Sequence, residues 1–201
     1  VDSILGNFDF ELLIDGIPDN LIRNGYIVSK DASIYTTLLR DPVIHVNSQA
    51  DIKNNSFDIL SFSAEMTDKD LMNSNVNLTG LINLDSFFKP KYQIDLSGSQ
   101  VFIKTLLGDI EGTANLNLSI TGRDTIVIAG DIAPVEGVMR KEFTSSAVGK
   151  ALDKPGKVII SYQIQFPIEQ DFLLQNSQVD AIVTGDIFIS KFGDSDMDFS
   201  G

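Results

Sequence analysis

Apolar residues recur at every second position along most of this 201-residue chain, and that period constrains the fold more than any other feature of the sequence. In VDAIVTGDIFIS, Val179, Ala181, Val183, Gly185, Ile187 and Ile189 share one face of an extended strand, with Asp180, Thr184, Asp186 and Ser190 mainly on the other. Earlier rows are Phe8, Phe10, Leu12 and Ile14; Ile44, Val46, Ala50 and Ile52, interrupted by Ser48; Leu60, Phe62, Ala64 and Met66; and Val76, Leu78, Gly80, Ile82 and Leu84. The pattern strengthens in the second half. Ile110, Gly112, Ala114, Leu116, Leu118 and Ile120 run to Gly122, Ile126, Ile128, Gly130 and Ile132 follow, and then come Val158, Ile160, Tyr162, Ile164, Phe166 and Ile168. These rows are long beside the usual globular strand of about 5 to 6 residues.

Opposite the rows stand mostly Asn, Asp, Ser, Thr and Gln, as in NLNLSITG and YQIDLSG. One wet face and one dry face suit an antiparallel meander, because a parallel sheet covered on both sides would give continuous apolar runs. Helical periodicity is scarce. The one candidate is TSSAVGKALDKPG, where Ser145 or Ser146 would cap a short helix near 144–153 that Pro155-Gly156 would end. Pro90 in DSFFKPKY marks an edge or a bend. Gly80, Gly112, Gly130 and Gly185 each sit mid-strand between apolar residues, the mark of a bulge, a bend or a close approach. No Pro-, Gly- or Ser-rich linker divides the chain, so residues 1–201 are expected to form one all-β unit with at most that one short helix.

Charge excludes some partners. With 15 Lys and Arg against 28 Asp and Glu, the formal net charge is -13, so the clustered cations that bind nucleic acid or dock on an anionic membrane face are lacking. There is no Cys, which removes disulfides and thiolate metal sites. The apolar runs are far shorter than the roughly 20 residues of a membrane-spanning helix. The chain does not start with Met and opens inside a strand-like pattern, ILGNFDFELLI, which leads to the expectation of a segment of a longer protein whose signal or anchor lies outside it.

Catalytic constellations come up short. His45, the single histidine, lies beside Asn47 and Gln49 on the polar side of VIHVNSQAD, the position of a solvated strand residue. SFFK, Ser86 to Lys89, has the spacing of the penicillin-recognising motif, but Pro90 forbids the helix that would bring Lys to Ser. DSDMDF, from Asp194 to Phe199, opens like a calcium loop yet has Phe199 where the tight turn needs Gly. The GK at 149 and 150 lacks the flanking Gly and Ser or Thr of a phosphate loop. Sequons at Asn54, Asn77 and Asn117 matter only in a glycosylating compartment. The expectation is a protein that is not an enzyme and needs no metal or cofactor.

The string VIISYQIQFPIEQDFLLQNSQVDAIVTGDIFISKFGDSDMDFSG, Val158 to Gly201, resembles the C-terminal region of TamB-like proteins, the translocation and assembly module subunit. Members show an alternating strand, a Pro, an aromatic-apolar pair before Asn, a strand of the form apolar-x-Gly-x-apolar-x-apolar-x-Lys, and then apolar-x-Gly. Pro167, Phe172, Leu173, Asn176, Gly185, Lys191 and Gly201 occupy those positions, with Phe172 where members often carry Trp. LLGDIEGTANLNLSITGRDTIVIAGDIAPVEG, Leu106 to Gly137, resembles the preceding family segment, and the likeness covers about residues 76–201.

What the resemblance implies is a meander curled into a U-shaped trough with an apolar concave face. It also implies a periplasmic setting in a diderm bacterium, an inner-membrane anchor outside this chain, an outer-membrane β-barrel partner of the assembly-factor class (TamA-like), and phospholipid transport between the two membranes. An acyl chain gains roughly 0.8 kcal/mol per CH₂ removed from water, so a line of aliphatic side chains can hold it without specific polar contacts. The residues expected to line such a groove are Ile110, Ala114, Leu116, Leu118, Ile120, Ile126, Ile128, Val158, Ile160, Tyr162, Ile164, Phe166, Val179, Val183, Ile187 and Ile189. Two other readings fit the alternation: a chaperone-like module that pairs outer-membrane strands on its open edges, and a closed β-sandwich with a structural or adhesive role.

Overall fold

The computed structural model describes residues 2–17, 20–35, 42–66, 74–86, 89–104, 110–140, 159–193, 195 and 198–201. They form an all-β protein. The strands are β1 (Ser3–Ile17), β2 (Asn20–Tyr35), β3 (Val43–Lys53), β4 (Ser56–Met66), β5 (Asn75–Asn83), β6 (Lys91–Lys104), β7 (Ile110–Gly122), β8 (Thr125–Met139), β9 (Ile159–Gln175), β10 (Asp180–Lys191) and β11 (Asp198–Ser200). All 11 lie in one sheet in sequence order. At about 4.8 Å per strand, the ten spacings extend about 48 Å. No second sheet exists among the described residues, so a two-sheet sandwich is not the arrangement found. The short helix expected near 144–153 lies outside the described residues.

The antiparallel expectation holds for every pairing but one. β8 and β9 run parallel, with Ile126 beside Ile160 and Gly130 beside Ile164. A parallel neighbour requires the chain to return the full length of the strand, which takes a dozen or more connecting residues. Residues 140–158 supply that length, whereas β3 to β4 and β7 to β8 are joined by two-residue turns at Asn54-Asn55 and Arg123-Asp124, in which Asn54, Asn55 and Asp124 are residue types suited to tight turns.

Register shifts change two of the apolar rows. His45, at φ 49, forms a bulge that places Val43, not Ile44, on the side of Val46, while Ile44 pairs with Glu65. A second irregularity between Gln49 and Ala50 sets Ile59 and Phe57 opposite Ala50 and Ile52, and leaves Leu60 exposed. The apolar face of β4 therefore runs Phe57, Ile59, Phe62, Ala64.

Burial is concentrated along one line that crosses the sheet at right angles to the strands. Ala32 pairs with Val46, Val46 packs with Ala64, Ala64 pairs with Val76, Val76 with Gly98, Val101 with Ala114 and Ala114 with Pro134, and on the far side Ile168 pairs with Gly185. Ala32 and Val101 are each 1% exposed, and Val46, Ala64, Val76, Ala114 and Ile168 are also buried. Among the described strand residues, Ser29, Ala50 and Ile94 are buried on this face off the line. Eight of the ten strand pairings carry a register shift, and each has one on this line or within a few residues of it; the pairings of β5 with β6 and of β10 with β11 have none. Bulges bend a strand and increase its twist, and in this sheet they cluster along the buried row.

Three of these bulges use non-glycine residues in the left-handed region: Asp31 (φ 51), His45 (φ 49) and Gln100 (φ 50). The same device stabilises two of them, an Asn on the next strand that accepts the bulge N–H. Asp31 N–H donates to Asn47 Oδ1 at 3.2 Å, and Gln100 N–H donates to Asn115 Oδ1 at 3.0 Å. At Gly98 there is no room for a Cβ, because Val101 Cγ2 would lie 2.5 Å from it.

Candidate functional site, a one-sided apolar face

Pairing carries the apolar side of each strand onto the apolar side of the next, so the rows merge into one face. One transverse row reads Leu78, Leu96, Leu118, Gly130, Ile164 and Ile189, and its neighbour reads Gly80, Ile94, Ile120, Ile128, Tyr162 and Lys191. Gly130 and Gly80 have φ of 133 and 148, and a Cβ on either would meet the backbone carbonyl of the adjacent strand, at Asn117 and Gln93. Glycine there lets the strands approach closely and leaves a gap in the side-chain row.

Of the residues expected to line a groove, Leu116, Leu118, Ile120, Ile126, Ile128, Tyr162, Ile164, Phe166, Val183, Ile187 and Ile189 sit half-buried on this face, and Ile160 is exposed. Ala114 is on the same face but in the buried row. Ile110 pairs with Met139 at the start of β7. Val158 lies outside the described residues. Val179 is half-buried and directly precedes β10, in the turn that begins at Asn176. There its N–H donates to Asn176 Oδ1 at 2.8 Å, and its carbonyl accepts the Asn176 N–H at 2.8 Å. The Asn side chain mimics a backbone turn, which closes the hairpin between β9 and β10.

The alternation missed Phe57, Ile59 and Val43, which the bulges bring onto the face, and it missed β2 as an element. In β2 the apolar parity is carried by Gly25, Ile27, Ser29, Ala32 and Ile34, where Ser29 and the Asp31 bulge break the pattern. Arg23 and Lys191 are the charged residues that strand parity puts on this face among the described strands. Both lie in the half nearer the 54–55 and 123–124 turns.

The polar side holds the remaining candidates. His45 Nδ1 and Asp31 Oδ1 are 2.7 Å apart in an exposed pair that bridges two adjacent bulges, and Asn47 Nδ2 donates to the His45 carbonyl at 2.8 Å. The hydrogen bond to Asp31 is the main cause that raises the His45 pKa, with Glu65 adding to it. Lys89 does not turn to Ser86: its Nζ is 2.8 Å from Asp124 Oδ1, which lowers the Asp124 pKa. Among the described residues no three His, Asp or Glu side chains gather as metal ligands.

What fold and face define together, among the described residues, is one β-sheet with a continuous apolar surface on one side. Searches against protein-family models, curated proteins and solved structures find no match to the chain.

Proposed function

We propose that this chain is a periplasmic segment of a TamB-like protein, that its sheet bends about the buried row into a trough, and that the trough shields phospholipid acyl chains moving between two membranes. One observation carries the reading: the apolar face is continuous from β1 to β10, yet among the described residues no second layer covers it. A core would bury such side chains almost fully, whereas Leu118, Ile128 and Ile164 keep part of their surface free. Small residues and bulges along the buried row are what a tight bend requires, and aliphatic side chains on either side suit hydrocarbon. Head groups would stay at the open mouth. The anchor in the inner membrane and the outer-membrane barrel partner belong to the same proposal and rest on the resemblance of residues 76–201.

Site-specific photocrosslinking tests it. A benzophenone side chain at Leu118 should capture phospholipid in cells, and the same group at Asn117, on the opposite face, should not. Equal capture from both positions, or none from Leu118, refutes the groove.

A further inference from the structure

The apolar face is not uniform along its strands. Of the tyrosines and cations in the described strands, Tyr92, Tyr162, Arg23 and Lys191 share this face by parity, and all four lie in the half nearer the 54–55 and 123–124 turns. Across the buried row, the other half carries Ile34, Val43, Met139, Phe172, Leu174 and Val183. Side chains with an apolar body and a polar tip suit the place where an apolar region meets water, so the two halves offer an amphiphile different surroundings.

Two of the four are placed to act together. Lys191 on β10 is paired directly with Tyr162 on β9, and the Cβ atoms of such a pair lie about 5 Å apart. Both side chains are half-buried, and their neighbours on the face are Ile128, Ile164 and Ile189. Among the described residues neither the Lys191 ammonium nor the Tyr162 hydroxyl has a hydrogen-bond or ion-pair partner, whereas Arg23 donates to Asn55 Oδ1 at 3.0 Å. An ammonium laid on an apolar surface gains most from an anion, because charge-assisted hydrogen bonds are the strong ones and a second donor beside it adds to them. We infer that Lys191 and Tyr162 form a phosphate subsite for a lipid head group, an assignment that rests on reading the face as a lipid groove. The acyl chain then runs inward over Ile164, Ile189, Phe166 and Ile187 toward the buried row. Lys191 is six residues from Gly185 on that row, about 20 Å at 3.4 Å per residue. The acyl chain of one leaflet spans about 15 Å, half of a hydrocarbon core of about 30 Å, so it fits within this half of the face.

The test is calorimetric titration of the 201-residue chain with lauroyl lysophosphatidate, with monolaurin, which has the same acyl chain and glycerol but no phosphate, and with inorganic phosphate. Lysophosphatidate should bind at least tenfold more tightly than monolaurin, and inorganic phosphate should show no binding at millimolar concentration. In protein whose far-UV circular dichroism is unchanged, Lys191→Gln should bring the ratio of the two lipid affinities below about threefold, and Tyr162→Phe should lower it by at least about threefold. Lys191→Arg should keep the ratio, as should Lys91→Gln, which removes a cation from the opposite side of β6 near the same end. Equal affinities for the two lipids, or a ratio that survives Lys191→Gln, overturn the inference and leave the groove standing. Binding of neither lipid overturns the groove reading and the subsite with it. Inorganic phosphate bound as tightly as the lipid marks a site for free anions and overturns the assignment to a lipid head group.

Discussion

Leu118→Asp separates binding from stability. Leu118 lies mid-face, between Leu96 on β6 and the gap at Gly130 on β8, and is half-buried. Since a fully buried Leu contributes about 1.5–3 kcal/mol over an exposed one, its replacement removes about 1 kcal/mol of folding stability. A bound hydrocarbon chain suffers more. An aspartate must keep its hydration, so about four CH₂ groups of the ligand lose their apolar contact at ~0.8 kcal/mol each, or about 3 kcal/mol. That is about a 100-fold loss of affinity. The assay is titration of the full chain with a fluorescent acyl-chain phospholipid, beside urea unfolding of the same samples. Asn117→Asp, one residue away and on the opposite face, should change neither quantity appreciably. If Leu118→Asp binds lipid as the unaltered chain does while folded, the apolar face is not where hydrocarbon sits and the argument fails.

Two further expectations concern the sheet itself. His45 is held in its charged form chiefly by Asp31, so its folded pKa is raised; the pair's contribution is fully present below the ordinary value of 6.5 and is lost as pH rises through the folded value. Because His45 is the only histidine, its ring resonances report this alone in an NMR titration, and Asp31→Asn should lower the midpoint; an unmoved midpoint would show that Asp31 is not the cause. Gly80→Ala should be more destabilising than Gly185→Ala in urea unfolding. Both glycines have φ near +140, but a Cβ on Gly80 meets the backbone at Gln93 and Ile94, whereas on Gly185 it meets nothing within 4 Å. Strain alone costs about 1–3 kcal/mol, and the collision adds to it only at Gly80; equal losses at the two sites would refute this account.

Much of the sheet was legible in the alternation, since period two is a direct consequence of strand geometry. Rows such as Leu116, Leu118 and Ile120 or Ile160, Tyr162 and Ile164 keep one parity from end to end. What was not legible depends on single extra residues. The His45 bulge exchanges Val43 for Ile44, and the shift near Leu60 brings in Ile59 and Phe57. Neither has a strong local signal, because the partners of a bulge lie on a neighbouring strand, as Asn115 does for Gln100 and Asp31 for His45, and that strand is distant in sequence. The parallel β8–β9 pair was hidden for a related reason: which neighbour a strand finds after a long connection is not written in its alternation. Gly185 drew notice as a possible place of bending. Its φ of 133, beside the register shift between Val183 and Gly185, fits a backbone requirement, since nothing crowds the side where a Cβ would lie.

A single-layer sheet has a stability problem that a sandwich lacks, because each strand has only its two neighbours and one side to bury against. Among the described residues most of the buried apolar side chains, Ala32, Ala64 and Ala114 among them, follow one line, while most of the large aliphatic residues of the face on either side stay half-exposed. Stability and binding are thereby assigned to different positions along each strand. Changes on the line act on folding, where a residue such as Val101 has no free surface left to offer a ligand. Changes on the limbs act on what the face can hold. The exposed apolar residues of the other side set a limit to this division: Ile182, at 66% exposure, and Phe188 share a side of β10 with Asp180 and Asp186, away from the apolar face. They contribute to neither function as assigned.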